Sequence, residues 1–226
     1  MKKEMDNNQH TINTRSLEAL LTLSSGGYKA FLYDCDGTLA DNMQAHKDTY
    51  VQVAADDGVA IDPAIIDEFA GLPIPAVVEE INKRYSSTFD PAAFTDLKSA
   101  LYYKEYIDRI KPVQFVVDHL VSHVGKVRIA VVSGGSRKMI GKTLEVLKIA
   151  HLVEVLVCAE DIAKGKPDPA PFLLAAEQLG VAPEDCLVFE DGTPGTLAAE
   201  AAGMKWIRID KVLTENSAAA GVAFRN

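Results

Sequence analysis

The sequence predicts an α/β fold in which helices cover a parallel β-sheet and a small helical domain is inserted into the sheet unit. Five short apolar runs are rich in branched and aromatic residues, which is typical of buried strands. The last four runs alternate with helical patterns, and such alternation produces right-handed crossovers and a parallel sheet. The five predicted strands cover residues 29–35, 127–133, 154–159, 186–191 and 205–209. The three predicted connecting helices cover residues 136–149, 169–179 and 194–202.

The long interval between the first and second predicted strands has a different character. It contains no good strand pattern, and its four helical stretches cover residues 45–56, 63–68, 75–85 and 94–111. We therefore predict a helical cap over residues 43–112, inserted into a core made of residues 28–42 and 113–226. The chain has 226 residues, which is enough for a core of this kind and a smaller insertion.

The two ends of the chain are predicted to be additions to this plan. Residues 1–27 form an N-terminal extension whose first 13 residues are polar and are predicted to be loose. A short helix is predicted after Thr14, a candidate N-cap, because apolar residues then recur at helical spacing as far as residue 21. Residues 217–226 are weakly patterned and are predicted to be irregular. We assign no chemistry to either end.

Composition and charge exclude several classes of partner. The formal net charge is −9 and no dense cluster of basic residues interrupts it, so we predict no nucleic-acid partner and no anionic membrane surface. No apolar run reaches the roughly 18 residues that a membrane span needs, and no apolar segment follows the N-terminal lysines as in a signal peptide. Cys35, Cys158 and Cys186 lie in apolar runs without metal-ligand spacing, which predicts reduced thiols in a cytoplasmic protein.

A pair of carboxylates follows the first predicted strand. Asp34 ends the strand, Asp36 lies two residues later, and Gly37 permits a turn. Ligands of an open parallel sheet bind beyond the carboxyl ends of its strands. One carboxylate there can act as a nucleophile while the second donates and then accepts a proton. The alternative is that both aspartates only cap a loop or a helix.

Three further motifs follow later strands. Ser133 and Gly134 precede a predicted helix and form either a phosphate cradle or an ordinary N-cap. Lys166 lies beside two prolines and is either a rigidly held phosphate ligand or a solvated loop lysine. Glu190 and Asp191 end the fourth predicted strand, and we favour their ligation of Mg²⁺ over solvation at the surface. All four motifs are predicted to converge on one edge of the sheet, which is far more specific than any one of them.

Residues 33–41, together with Ser133, Lys166 and the pair Glu190–Asp191, resemble the four motifs of the haloacid dehalogenase superfamily in its phosphatase-like branch. The resemblance covers residues 28–209 and implies a Rossmann-like core with an inserted cap. It is closest to β-phosphoglucomutase and the related sugar-phosphate phosphatases. An aspartate at position 36 speaks against the dehalogenases, which do not use that acid.

The resemblance also implies a role for each motif residue. Asp34 would be the nucleophile and Asp36 the general acid and base. His46, twelve residues after Asp34, would lie near the cap hinge, with a surface helix position as the alternative. Ser133, Gly134 and Lys166 would hold the transferring phosphoryl group. Mg²⁺ would be bound by the carboxylate of Asp34, the backbone carbonyl of Asp36 and Asp191, with Glu190 as a helper.

We therefore predict a Mg²⁺-dependent phosphatase that hydrolyses a small phosphorylated metabolite, a sugar phosphate, through an aspartyl-phosphate. The first alternative is a phosphosugar mutase, whose cap carries a lysine and an arginine for a second phosphate. Residues 69–75, the comparable stretch here, contain neither charge. A phosphoryl-accepting signalling domain and a non-catalytic binding protein are further alternatives, but signalling domains lack the long insertion and every catalytic position here is filled. No pattern predicts the oligomeric state.

Overall fold

The computed structural model describes residues 2–69 and 72–214. Within them, five parallel strands form one sheet in the order β5-β4-β1-β6-β7, so the predicted α/β class with a parallel sheet is confirmed. Two short strands, β2 and β3, pair separately and antiparallel. The strands are β1 Ala30–Tyr33, β2 Ala40–Asp41, β3 Lys111–Pro112, β4 Arg128–Val132, β5 Val155–Val157, β6 Cys186–Glu190 and β7 Lys205–Arg208.

The central strand β1 is buried on both faces. Phe31 and Tyr33 pack into the apolar cluster on one face of the sheet, and Ala30 and Leu32 pack into the cluster on the other. This alternation is the pattern of a strand in a sheet that is covered on both sides. The covering helices of the sheet unit are α6 Gln114–His123, α7 Arg137–Val146, α8 Ala170–Leu179, α9 Thr193–Ala201 and α10 Ile209–Thr214.

Helix α6 was not among the predicted elements. Five of its ten residues are buried, including three in succession, so its sequence lacks the alternation of apolar and polar faces that reveals a surface helix. The three helices predicted between the later strands correspond to α7, α8 and α9, with ends shifted by at most three residues.

Between β2 and β3 lie four helices: α2 Met43–Asp56, α3 Ala64–Glu68, α4 Ile74–Tyr85 and α5 Pro91–Glu105. We call these four helices the cap; they enclose an apolar cluster of their own, which includes Ile65, Ile81 and Phe94. The helix predicted over residues 94–111 is wrong at its end, because α5 stops at Glu105 and the chain then pairs as β3 with β2. The exact domain boundaries at residues 43 and 112 stay a prediction.

The N-terminal helix α1 Lys2–Leu23 begins earlier than the sequence predicts. Thr14 is not an N-cap, since its hydroxyl donates to the backbone carbonyl of His10 within the helix. The residues before Thr14 are mostly polar and contain too few apolar side chains to show a helical period, so hydrophobic periodicity did not predict that they are helical. The C-terminal segment 217–226 lies outside the described residues. None of the described helices has the length and apolarity needed to cross a membrane.

Candidate active site

The register of the sheet brings the predicted motif residues to one edge. Tyr33 of β1 pairs with Val131 of β4 and with Phe189 of β6, so the residues that follow each of them lie side by side. The chain leaves β1 toward β4 on one side and later returns to β6 on the other. The carboxyl end of β1 is therefore the switch point of the strand order, where ligands of such sheets bind.

Lys166 joins two of the predicted motifs. Its Nζ lies 2.7 Å from Asp34 Oδ1, 2.7 Å from Glu190 Oε1 and 3.0 Å from the carbonyl oxygen of Val132. The side chain is only 4% exposed, so it is held within the site and is not a solvated loop lysine. Three acceptors saturate its ammonium group. This leaves Asp34 Oδ2 as the carboxylate oxygen with no bond to any described side chain.

Three carboxylates surround this lysine. Oxygen atoms of Asp34, Glu190 and Asp191 lie within 4.8 Å of one another. Glu190 also accepts a hydrogen bond from the backbone of Gly192 through Oε2, at 2.8 Å, so both of its oxygens have partners. Thr38 donates to Asp191 Oδ1 over 3.2 Å. The most available oxygen atoms of the cluster thus belong to Asp34 and Asp191.

The charge balance of this cluster suits a divalent cation. Burial, reinforced by the charge of Glu190, raises the pKa of Asp191 to about 7. Burial and the neighbouring carboxylates also raise the pKa of Asp34 above its usual range, although Lys166 opposes them. Two buried carboxylates, Asp34 and Glu190, and the partly buried Asp191 thus share one ammonium group. Hard oxygen donors carrying unbalanced negative charge fit Mg²⁺, and the predicted metal residues Asp34, Glu190 and Asp191 are brought together.

Asp36 faces the cap, not the acidic cluster. Its Oδ1 accepts a hydrogen bond from Asn42 Nδ2 at 2.5 Å and lies 3.4 Å from His46 Nε2. Burial acts to raise the pKa of Asp36. The hydrogen bonds with His46 and Asn42 and the electrostatic interactions with His46 and Lys98 outweigh burial, and they lower this pKa to about 2. Asp36 is therefore ionised in this arrangement. Because its side chain is turned toward Asn42 and His46, only its backbone carbonyl is left for the metal-binding role that the resemblance implies.

His46 belongs to this network. Lys98 Nζ lies 2.6 Å from His46 Nδ1, and the ring of Tyr102 stacks on the imidazole with centroids 4.3 Å apart. An ammonium group can only donate, so Nδ1 is the acceptor and the proton of the neutral ring is on Nε2, toward Asp36. Burial and the charge of Lys98 lower the pKa of His46, which favours this neutral form. His46 is therefore placed to orient Asp36, and its ring is enclosed by Lys98, Tyr102 and Asp36 instead of standing free at the surface.

Ser133 lies in the loop between β4 and α7. Its Oγ accepts a hydrogen bond from the backbone N–H of Gly135 at 3.1 Å. Ser136, and not Ser133, caps α7 by accepting from the backbone of Met139. Ser133 and Gly134 line the same cavity as Asp34 and Lys166. The loop is therefore placed where a phosphoryl group bound to Asp34 would lie.

Four residues of this site were not identified from the sequence. Thr38 and Asn42 follow Asp34 within one short segment, so the turn after β1 was a signal that they lie near it. Lys98 and Tyr102 lie one turn apart on α5, more than fifty residues away, and have no local signal. They reach the site only because α5 packs against α2.

A glycine in α9 makes the position of Glu190 possible. A Cβ atom at Gly195 would lie 1.8 Å from Glu190 Oε1 and 2.0 Å from Glu190 Cδ. Glu190 cannot move away freely, because Lys166 and the Gly192 backbone hold both of its oxygens. The glycine is therefore needed for this close approach and not for its conformational freedom.

Gly195→Ala is expected to lower the free energy of unfolding by about 1–3 kcal/mol and to reduce turnover, because it displaces Glu190 and with it Lys166. Urea unfolding and phosphate release measure the two effects. Gly141→Ala is the matched control, since Gly141 also lies in a helix but has open space around it. That variant is expected to gain about 0.5–1 kcal/mol. Equal stability changes in the two variants would contradict the packing argument.

Comparison with known proteins agrees with this geometry. The profile of the haloacid dehalogenase-like hydrolase family matches residues 31–209. Fructose-1-phosphate phosphatase YqaB of Escherichia coli (strain K12) is 30% identical over 177 residues, covering 78% of this chain and 94% of that protein. Hexitol phosphatase A of the same organism is 30% identical over 194 residues, covering 80% of this chain and 83% of that protein.

A crystal structure of β-phosphoglucomutase from Clostridium difficile superposes with a TM-score of 0.70 at 25% identity, covering 80% of this chain and 84% of that chain. The family match begins within β1, spans the cap and ends just after β7, so it includes every strand-end residue described above. The predicted family is thereby confirmed, and the chain belongs to the haloacid dehalogenase-like hydrolases.

Proposed function

We propose that this protein is a Mg²⁺-dependent phosphatase that hydrolyses a small phosphorylated metabolite, a sugar phosphate, through an aspartyl-phosphate intermediate. The observation that carries the proposal is the carboxylate of Asp34, held at the sheet switch point by Lys166 beside the acidic pair Glu190 and Asp191. The names of the two phosphatase relatives support a sugar or hexitol phosphate as the substrate class. A cytoplasmic location remains part of the same proposal.

The first half of the reaction forms the intermediate. Lys166 holds Asp34 Oδ1, and Oδ2 attacks the phosphorus atom as the ester P–O bond breaks. Ser133 and Gly134 support the phosphoryl oxygens. Asp36 gives its proton to the leaving oxygen. Mg²⁺, held by Asp34, the carbonyl of Asp36 and Asp191 with help from Glu190, would offset the repulsion between the anionic nucleophile and the phosphate.

In the second half, Asp36 takes a proton from water, and the water oxygen displaces Asp34 from phosphorus to release inorganic phosphate. The hydrogen bonds that Asp36 accepts from Asn42 and His46 favour the ionised carboxylate that this step needs. The first half requires that Asp36 take up a proton, and a phosphate dianion bound beside it raises its proton affinity. The same carboxyl group then alternates between acid and base.

The test of the proposal is phosphate release from a panel of phosphorylated metabolites with Mg²⁺ present. We expect turnover of p-nitrophenyl phosphate and faster turnover of at least one sugar or hexitol phosphate. Steady turnover also separates an enzyme from a phosphoryl-accepting signalling domain, which would stop after one phosphoryl group per chain. Absence of phosphate release from every member of the panel would refute the proposal.

His46→Ala is expected to lower kcat by about ten- to a hundredfold with little change in KM, because the carboxylate of Asp36 loses one of the groups that orient it. His46→Gln, which keeps a side-chain donor, should recover part of the loss. His151 is exposed on a short turn of the core, and His151→Ala is the control that should behave as wild type. An unchanged kcat in His46→Ala would contradict the orienting role.

The phosphoenzyme is expected to pass its phosphoryl group to water and not to a sugar phosphate. A mutase needs cap groups that bind a second phosphate, because that binding energy drives closure over the intermediate. In the structure Lys47 pairs with Asp67 and Lys83 pairs with Glu80, and neither lysine lines the cavity. Glucose 1,6-bisphosphate should therefore accelerate no isomerisation. Rapid conversion of β-glucose 1-phosphate to glucose 6-phosphate with little phosphate released would establish a mutase.

A further inference from the structure

The cavity above Asp34 has two unlike halves. Its floor, formed by the sheet unit, carries the carboxylates, Ser133 and Lys166. Its opposite wall is formed by the cap and is almost wholly apolar. The apolar side chains of that wall are Met43, Ile66, Phe69, Leu72, Ile74 and Val77. A leaving group whose phosphate lies on the floor must therefore place its carbon skeleton against this wall.

The two nitrogen-bearing side chains on the cap side of the cavity are already engaged. Lys98 is only 4% exposed, and its Nζ bonds to His46 and lies 5.2 Å from the ring centroids of both Tyr50 and Tyr102. His46 in turn faces Asp36. On the described part of the wall, no other cation is placed to receive an anion. A carboxylate or second phosphate there would lose its hydration without gaining a charged partner.

Tyr50 is the exception in this wall. The residue is 4% exposed, lines the cavity and packs its ring against Phe94 and Lys98. Its hydroxyl has no hydrogen-bond partner among the described residues, yet it is not sealed from solvent. This hydroxyl can bond water in the cavity, and a bound ligand that displaces the water would have to supply an oxygen atom as the replacement partner.

We infer that the cap selects an uncharged leaving group, which presents an apolar C–H face to the wall and one neutral oxygen to the hydroxyl of Tyr50. This inference rests on the proposed phosphatase function, because it concerns the leaving group of that reaction. It narrows the substrate class to monophosphates of polyols or sugars that carry no charge besides the phosphate, and it excludes phosphorylated sugar acids and bisphosphates.

A matched pair of substrates tests the exclusion of charge. Sorbitol 6-phosphate and 6-phosphogluconate have the same six-carbon chain and phosphate, and differ in a CH₂OH group against a carboxylate. We expect kcat/KM to be at least about tenfold higher for sorbitol 6-phosphate, since the carboxylate is desolvated without a partner. Equal or faster turnover of 6-phosphogluconate would overturn the inference. Phenyl phosphate tests the chemistry separately, and only a failure of all these phosphate esters to release phosphate would instead overturn the proposed function.

A lysine introduced into the wall should weaken the preference for sorbitol 6-phosphate over 6-phosphogluconate. Ile74→Lys places an ammonium group at a half-buried position of the wall, and we expect it to raise the ratio of kcat/KM for 6-phosphogluconate over sorbitol 6-phosphate by at least about tenfold. Leu97→Lys is the control, because Leu97 is 58% exposed on the same cap and does not line the cavity. This ratio compares two substrates on the same protein sample, so it does not change if part of the variant is unfolded. An equal ratio in both variants would contradict the assignment of the wall.

Tyr50→Phe tests the single polar contact. The variant keeps the ring and removes the hydroxyl, so kcat/KM for sorbitol 6-phosphate should fall about five- to tenfold, mainly through KM. Phenyl phosphate has no oxygen on its ring, and its kcat/KM should change less than about twofold. Tyr103→Phe, at a position 38% exposed on the outside of α5, is the control. An equal loss on both substrates would show a structural effect and overturn the role given to Tyr50.

Discussion

Asp34→Asn is expected to abolish phosphatase activity while the protein stays folded. The amide has nearly the size of the carboxylate, but it cannot attack phosphorus to form an acyl-phosphate. Lys166 would keep its bonds to Glu190 and to the carbonyl of Val132, so the floor of the site retains two of the three contacts of its ammonium group. We therefore expect turnover below the detection limit and a melting temperature close to that of wild type.

The matched control for this variant is Asp96→Asn, an equal change at an exposed position of α5 that does not line the cavity. It should retain full activity. Binding of beryllium or aluminium fluoride, which mimic a phosphoryl group on an aspartate, should be seen in wild type and lost in Asp34→Asn. Substantial activity in Asp34→Asn, with the melting temperature retained, would remove Asp34 from the role of nucleophile.

Removal of metal is expected to have an effect of similar size. A chelator in excess should stop turnover, and Mg²⁺ should restore it, because three carboxylates balanced by one ammonium group would otherwise repel the phosphate dianion. Ca²⁺ should substitute poorly, since its larger and looser coordination shell would misplace Asp34. Full activity in excess chelator would refute the metal requirement.

Asp191→Ala should raise the Mg²⁺ concentration needed for half-maximal activity by at least about tenfold. A second measurement does not depend on activity: Mg²⁺ should raise the melting temperature of wild type by mass action, and this increase should be lost in the variant. A proton and the metal compete for Asp191, whose pKa burial raises to about 7. The Mg²⁺ requirement should therefore fall between pH 6 and pH 8, as the carboxylate loses its proton. Asp96→Ala should show the wild-type requirement.

The sequence by itself determined the sheet and the positions of its strand-end motifs. Each of these features depends on a few neighbouring residues, namely an apolar run followed by a polar motif. The motifs are Asp34 with Asp36, Ser133 with Gly134, and Glu190 with Asp191. Parallel strands bring their carboxyl ends to one edge, so local patterns were enough to predict that these residues meet. The alternation of strands and helices predicted the parallel pairing for the same reason.

Only the tertiary structure decided what surrounds those motifs. Lys98 reaches His46 because α5 packs on α2, a contact between segments more than fifty residues apart that no local period encodes. The unpartnered hydroxyl of Tyr50 depends on the packing of the cap in the same way. Glu190, predicted as a metal helper, accepts hydrogen bonds from Lys166 and from the backbone of Gly192, one on each carboxylate oxygen. The close approach of α9 at Gly195 holds the side chain in this position. Such contacts are set by how helices pack side by side, and packing partners are chosen by shape and burial across the whole chain.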